Sequence, residues 1–542
     1  MRPSTGRRRT AGSTGRVGFR HRCGGREAET PVVHASGYHL RGDGDAVEEE
    51  GDDMSVTSYD KLYIGGQWVA PEGTETIEVI SPYTEEVIAT VPDGTVADIN
   101  RAVAAAREAF DRGPWPRMSL AERGEVLAKV AARLGEELPS MAELITAEMG
   151  TPILFSQLAQ VGAPLMIFNY FAELSKTHSL DSVRSGVLSP EVLVTREPVG
   201  VVGAIAPWNV PLFLAAAKLA PALLAGCTVV FKPAPETPLD AFRLAEILAE
   251  CGLPEGVLSV VPAGREVSEA LVTHPDVDKI SFTGSTVAGK KIAALCGEQL
   301  KRCTLELGGK SAAILLDDVD LDATLPMLLP NALMNNGQAC IAQTRIVAPR
   351  GRYDEVVDAI CQQISDAWPT GDPMDMGTAV GPLVAARQRD RVEGYIATGI
   401  AEGARVAIGG GRPAGQDHGW FVEPTIFADV NNKMTIAQEE IFGPVLVIIP
   451  HDGDADAVSI ANDSDYGLCG SVFTADNDRG LSVARQVRTG TYMLNSNTPI
   501  DFASPFGGFK QSGIGREFGP EGLDSFLETK SINLPAGYTP QV

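Results

Sequence analysis

The stretch "NNGQACIAQ" (335–343) sets a thiol, Cys340, among small and amide side chains directly after a predicted helix. A cysteine thiolate is a capable nucleophile, yet free cysteine is also among the most buried residue types, and this chain has eight. Upstream, "TLELGGK" ends a predicted strand with Glu306, followed by Gly308 and Gly309. A carboxylate beside bare backbone suits a general base, because water or substrate can come close; an exposed loop acid is the plainer reading. All seven histidines (His21, His34, His39, His178, His274, His418, His451) lie outside these motifs, so a Cys–His dyad is poorly supported and a carboxylate is the expected proton acceptor. "IAPWNVP" carries Pro207, Trp208 and Asn209 just past the strand that ends near Ile205. The Asn209 amide could donate to an oxyanion, or merely cap the next helix.

Other motifs could hold an anionic or sugar-bearing ligand. "SFTGSTVAGKK" runs a strand into Gly284 and Ser285, with Gly289 a turn further on. A helix opening this way exposes unpaired N–H groups to a phosphate, although the GxxxxG spacing does not match the dinucleotide fingerprint. "FKPAPETP" sets Lys232 at the carboxyl end of a strand, where ligands of open α/β sheets gather. "EEIFGPV" holds Glu439, Glu440 and Phe442 before a buried strand. "SPFGGFKQSGIGRE" (504–517) is too glycine-dense for a regular helix or strand and reads as a loop lining a site or interface.

The elements that must position these residues follow from periodicity. Between 95 and 178, "VADINRAVAAAREAF" and "LAERGEVLAKVAARLGEEL" space apolar residues at three and four, predicting helices. From about 199 strands alternate with helices: "VGVVGAIAP", "LFLAAAKLAPALLAG", "CTVVFKPA", "PLDAFRLAEILAECG", "GVLSVVPA", "REVSEALVTH", "VDKISFTG", "STVAGKKIAALCG". This is the signature of a doubly wound α/β domain. After about 307 a second α/β series follows, from "SAAILLDD" through "CGSVFTAD".

Length and charge bound the rest. A chain of 542 residues should divide into two or three domains. A net charge of −25 disfavours nucleic acid and anionic lipid as partners, and no apolar run is long enough for a membrane span. The cysteines form no CxxC pair, so they read as reduced cytoplasmic thiols, and no metal site is expected. Residues 1–53 differ from the remainder, with an Arg-rich start and a nearly all-acidic end. They are expected to be a disordered tail, or upstream sequence that a start at Met54 would omit. The second is favoured, because "MSVTSYDKLYIGGQW" reads as a normal beginning.

The order of "PWNVP", "FKPAPETP", "FTGSTVAG", "LELGGK", "GQAC", "EEIFGPV" and "PFGGFKQSGIGRE" closely resembles the NAD(P)-dependent aldehyde dehydrogenase superfamily over about residues 60–532, with Glu306 preceding Cys340 by 34 residues as in the family pattern. The resemblance implies an α/β fold: a Rossmann-like cofactor domain (54–178 and 199–306), an α/β catalytic domain (307–500), and a small β oligomerisation arm with a C-terminal segment (179–198 and 501–542). It implies Cys340 as nucleophile, Asn209 as oxyanion donor with the Cys340 N–H, and Glu306 as hydrolytic base. Lys218 and Glu517 match a proton relay. Ile205, Pro207, Trp208, Lys232, Gly284, Ser285, Glu440 and Phe442 match cofactor positions. NAD is the implied cofactor, with NADP as the alternative, because the glutamate that many members have three residues after the lysine is Pro235 here, beside Glu236. Val210, Leu214, Ala217, Ala339, Ile341, Ile500 and Phe506 match the substrate pocket. Their aliphatic and small character implies a medium-chain, terpenoid or aromatic aldehyde, and the absence of Arg or Lys among them disfavours carboxylated semialdehydes. A homodimer or homotetramer is implied, with a small-molecule aldehyde as partner. A CoA-acylating enzyme and a non-catalytic relative are the rival readings, and the retention of Glu306, Cys340 and Asn209 counts against both.

Overall fold

Val201–Ile205, Thr228–Lys232 and Lys279–Thr283 are each buried along their whole length. Such runs suit parallel strands covered on both faces, where no side chain faces water. In the computed structural model, which describes residues 57–538 and 540, they form the centre of an eight-stranded sheet. The expected extension, residues 1–53, lies outside the described residues. The sheet order is Gln67–Val69, Leu62–Ile64, Leu258–Val260, Thr228–Lys232, Val201–Ile205, Lys279–Thr283, Arg302–Glu306, Gly513–Ile514. The five strands from Leu258–Val260 to Arg302–Glu306 are parallel.

The chain winds outward from Val201–Ile205 in one direction, then returns to build the other half from Lys279–Thr283. The strand order therefore reverses between those two strands. That reversal opens a crevice at their carboxyl ends, where open α/β sheets bind ligands.

A second sheet follows the order Arg405–Ile408, Thr425–Ala428, Val445–His451, Arg345–Pro349, Ala312–Leu315, Gly470–Phe473, Met493–Leu494, and is parallel except at the Arg405–Ile408 edge. Asp181–Ser185, Glu191–Pro198 and Leu527–Leu534 make a separate three-stranded antiparallel arm.

One feature differs from the sequence expectation. Gly513–Ile514 pairs antiparallel with Leu305–Glu306 and extends the first sheet. The "SPFGGFKQSGIGRE" run contains short strands after all, because glycine permits an approach that a side chain forbids. A Cβ on Gly513 would lie 2.2 Å from the Leu305 carbonyl oxygen.

Helix starts follow local chemistry. Thr95 with Asp98, and Ser119 with Glu122, form reciprocal capping boxes at the helices Val96–Arg112 and Leu120–Glu136. No helix among the described residues is long and apolar enough to cross a membrane.

Candidate active site

The crevice predicted by the strand reversal is occupied by two adjoining cavities. The outer one, of about 460 Å³, is lined by Ile205, Pro207, Trp208, Lys232, Gly284 and Ser285 among others. The inner one, of about 230 Å³, shares Pro207, Trp208, Gly284 and Ser285 with it and reaches Asn209, Cys340, Glu440 and Phe442. Thus all the residues matched to cofactor positions, together with Asn209 and Cys340, line one continuous groove. Glu306, Lys218 and Glu517 do not line it.

The groove wall is shaped by glycine. Ser285 caps the helix Thr286–Glu298 by accepting from the Ala288 N–H, and the opening of that helix, with Gly284, Ser285, Val287 and Ala288, lines the groove. Gly289 lets this helix lie on Leu307, since a Cβ there would come within 2.4 Å of the leucine side chain. A Cβ on Gly308 would meet Glu440 Oε2 at 2.5 Å, and one on Gly309 would meet the Cys340 carbonyl oxygen at 2.2 Å. The two glycines of "LELGGK" therefore admit Glu440 on one side and the Cys340 loop on the other. The Gly309 N–H donates to Glu440 Oε1 at 2.9 Å. Burial pushes the Glu440 carboxyl up to about 7, against the opposing pull of that N–H and of Arg391 and Lys310.

Cys340 leaves the helix Leu321–Leu333 through a turn in which Asn335, Asn336 and Gly337 all have left-handed backbones. Asparagine and glycine are the residues that tolerate this conformation. Each amide is used. Asn336 donates to the Gly150 and Pro382 carbonyls and accepts from the Gly381 N–H. Asn335 donates to the Asn209 carbonyl at 2.6 Å. Gln338 accepts from the Val384 N–H. Asn209 Nδ2 donates to the Gln338 carbonyl at 2.9 Å, two residues before the thiol. Burial pushes the Cys340 thiol above its ordinary value, and Glu440, Glu306 and Cys469 add to that; its own N–H opposes them.

Glu306 is 3 % exposed, and neither carboxyl oxygen has a hydrogen-bond partner among the described residues. Burial raises its proton affinity well above that of an ordinary glutamate; Glu517 adds to this, while Lys218 and Arg516 oppose it. Gly507 packs against it, and a Cβ there would sit 2.9 Å from Oε1. Lys218, fully buried in the apolar helix Pro211–Ala225, donates to Glu517 Oε1 at 2.8 Å and to Thr283 Oγ1 at 2.7 Å. At the far end of the groove Lys232 Nζ donates to the Ala263 carbonyl, and burial lowers its pKa to about 8. Glu236, whose charge acts on Lys232, is paired with Arg387.

Val210, Leu214, Ala217, Ile341, Ile500 and Phe506 line neither cavity; they belong to or pack against the large hydrophobic core around the first sheet, as Ala339 and Cys340 do. Four phenylalanines extend from there. Phe506 lies 6.1 Å from Phe518, which lies 5.3 Å from Phe502 and 5.8 Å from Phe213. Phe506 and Phe518 are buried while Phe502 and Phe213 are half-exposed, so the ladder runs from the Gly507–Glu306 contact toward the surface. Phe213, Phe502 and Phe518 escaped the sequence reading, and they make the surroundings of Phe506 more aromatic than expected.

Gln388 and Arg391 also escaped it. Both line the inner cavity, donating to the Phe442 and Glu440 carbonyls respectively. Gln388 thereby helps to hold Phe442 in a left-handed backbone, with its ring edge-on to Trp208 at 5.4 Å. On the polar helix Ala386–Ala401 nothing separates them from a solvated face. The paired asparagines before Gly337 were a readable signal.

Residues 68–532 match the family model described as "Aldehyde dehydrogenase family". The geranial dehydrogenase of Castellaniella defragrans is 47 % identical over 87 % of this chain and 98 % of its own length. The 3-succinoylsemialdehyde-pyridine dehydrogenase of a Pseudomonas species is 44 % identical over 88 % and 99 %. Among solved structures, a Mycobacterium tuberculosis aldehyde dehydrogenase complexed with NAD+ has 54 % identity and a TM-score of 0.88, covering 90 % of this chain and all of that one. A mutant aldehyde dehydrogenase C from Pseudomonas syringae, complexed with NAD+ and octanal, has 40 % identity and a TM-score of 0.85, covering 89 % and 98 %.

The Gly309 contact makes a direct prediction. Gly309→Ala forces two backbones apart, so it should lower stability by about 1–3 kcal/mol and slow turnover by up to about 100-fold. Gly297→Ala, inside the helix Thr286–Glu298 where a Cβ meets open space, is the control: it should leave turnover unchanged and raise, not lower, the denaturation midpoint.

Proposed function

This chain belongs to the aldehyde dehydrogenase family and, as an NAD(P)-dependent aldehyde dehydrogenase, oxidises an aldehyde to a carboxylic acid; we propose that it does so with NAD+, through a thioester on Cys340. The observation that carries this reading is that Cys340 lies at the inner end of a groove of cofactor dimensions, with the Asn209 amide hydrogen-bonded to its loop.

The groove suits a dinucleotide. The N-terminus of the helix Thr286–Glu298, with Gly284 and Ser285, offers N–H groups to a pyrophosphate. Lys232 and Glu440 suit the two riboses, while Ile205, Pro207, Trp208 and Phe442 wall the cofactor in. NAD+, when bound, supplies a hydride acceptor. The NAD+ complexes of the similar enzymes support this choice.

In the proposed sequence the Cys340 sulfur adds to the aldehyde carbonyl as its proton passes to Glu306. A carboxyl with raised proton affinity is a better acceptor than an ordinary one. The Asn209 amide and the Cys340 N–H hold the oxyanion. Departure of hydride leaves a thioester on Cys340. Glu306 must then shed its first proton before it can deprotonate water, and the Lys218–Glu517 pair is the proposed relay. Water attacks the thioester, the acid leaves, and the thiol is restored. A CoA-acylating reaction is less well supported, because a thiol acceptor does not need the partnerless carboxyl of Glu306.

The apolar wall of Val210, Leu214, Ile341, Ile500 and Phe506, with its phenylalanine ladder, suits medium-chain, terpenoid or aromatic aldehydes. A relative named for geranial and another complexed with octanal agree with this. The arm, with Val187 and Leu188 exposed at its tip, suits a homodimer or homotetramer, and the free thiols suit the cytoplasm.

Four outcomes are expected. Glu306→Gln should cut steady-state turnover by about 10²–10⁴-fold, and Cys340→Ala should abolish cofactor reduction; dehydrogenase activity surviving in Cys340→Ala ends this mechanism. Across an aldehyde panel, kcat/KM should be higher for decanal and citral than for succinic semialdehyde, and a best value with succinic semialdehyde overturns the substrate class. Because Lys232 loses its charge as pH rises through about 8, the Kd for NADP+, measured by fluorescence quenching, should weaken more steeply than that for NAD+ between neutral pH and about pH 9. Parallel curves would remove Lys232 from phosphate recognition.

A further inference from the structure

The segment between the helices Leu138–Met149 and Ala163–Leu174 contains a wide π-helical turn, Ser156–Gly162. The sequence requires it. Pro164 has no N–H for the carbonyl four residues back, that of Gln160, and its ring would collide with that carbonyl in a regular α-helix. Widening the turn removes the collision. Gly162 permits it, since a Cβ there would already lie 2.9 Å from the Gln157 carbonyl oxygen, five residues back. Single π turns inside helices cost regular hydrogen bonds and are frequent where a side chain must be aimed.

Here the aimed side chain is Gln160. It is 0 % exposed, whereas Leu158, two residues earlier, is 66 % exposed. Gln160 Nε2 donates to the main-chain carbonyl of Asn209 at 3.1 Å and to Thr151 Oγ1 at 3.3 Å. Thr151 Oγ1 in turn donates to Asn335 Oδ1, and Asn335 Nδ2 donates to the same Asn209 carbonyl. One carbonyl is therefore held by two amides that are bridged through a hydroxyl. The other end of Asn209, its side-chain amide, reaches the Gln338 carbonyl. Nothing else in the proposed chemistry uses Gln160, and it contacts neither cavity.

We propose that Gln160 is a positioning residue for the oxidation: by holding the Asn209 carbonyl it fixes where the Asn209 amide stands relative to Cys340. The proposal rests on the reading of Asn209 as oxyanion donor. Misplacing such a group by about 1 Å can cost about 100-fold in rate, whereas a strut of the fold would affect all steps alike.

A double-mutant cycle on the full chain separates the two, with single-turnover reduction of NAD+ by decanal as the readout. Gln160→Met keeps the length of the side chain and removes its donor. It should slow the single turnover by about 10–100-fold, leave the Kd for NAD+ within about twofold of wild type, and leave the thermal midpoint nearly unchanged. Asn209→Ala should slow it by about 10²–10³-fold. If Gln160 acts through Asn209, the double variant matches Asn209→Ala within about twofold, since partners in one network are not additive. Effects that multiply would overturn the proposal, as would a wild-type rate in Gln160→Met beside a slow Asn209→Ala. Asn209→Ala at the wild-type rate would sink the oxyanion reading itself, and with it this route. Should Gln160→Met not fold, Gln160→Asn retracts the same amide by one methylene, and the same cycle decides.

Discussion

The hydrogen bond from the Asn209 amide to the Gln338 carbonyl joins the two α/β layers at the point where chemistry is proposed. Asn209 follows the strand Val201–Ile205 of the first sheet, while Gln338 follows the helix that leads away from the second sheet's strand Ala312–Leu315. Neither segment is regular. Val210 has a non-helical backbone ahead of Pro211, and Asn335–Gly337 run left-handed. Irregular backbone buried away from water must find side-chain partners for its N–H and C=O groups, and here asparagine and glutamine amides supply them. The thiol's location is thus a consequence of amide bookkeeping around two turns. The glycines at 308 and 309 only leave the space into which the turns close.

The electrostatics of the centre follow from the same enclosure. An ionised carboxylate taken from water without a partner costs several kcal/mol or more, so such a group takes up a proton more readily than an exposed one. Glu306 is in that position, with no donor for either oxygen among the described residues. Glu517, nearby, has Lys218 and forms a buried pair. Glu306 therefore gains by accepting a proton, while Glu517 keeps its bond to Lys218. Cys340 faces the same penalty as Glu306 when it ionises, with only its own N–H favouring the thiolate.

Most of the framework was legible in the sequence, for a physical reason. Buried parallel strands are continuous apolar runs, and "VGVVGAIAP", "CTVVFKPA" and "VDKISFTG" announce themselves as such. Gly513–Ile514 did not, because a strand permitted by the absence of side chains has no side-chain pattern to read. Cys340 and Glu306 were ambiguous as single residues, since no histidine accompanies them, and only the order of the surrounding motifs singled them out. Gln388 and Arg391 were invisible: a polar helix face looks the same whether it meets solvent or a cavity. Gln160 was hidden for a different reason. An α-helical reading of 156–162 assigns it the wrong direction, and the turn that redirects it is written in Gly162 and Pro164.

With the adenosine placed as proposed, the Lys232 end of the groove bears on cofactor choice. In "FKPAPETP" the prolines at 233 and 235 stiffen the turn on either side of Ala234, and the carboxylate that follows, Glu236, is drawn to Arg387. The other acid near Lys232, Asp93, has its proton affinity raised by burial. The ammonium of Lys232 therefore faces one carboxylate already engaged by an arginine and another that resists ionising. A ribose needs no more than a donor there, and Lys232 provides one at any pH below that of its own titration. An additional phosphate on that ribose would meet less negative charge than it would beside a free glutamate. With the cofactor placed as proposed, discrimination between the two dinucleotides at this end would rest on the charge of Lys232 and on the ion pair that keeps Glu236 occupied.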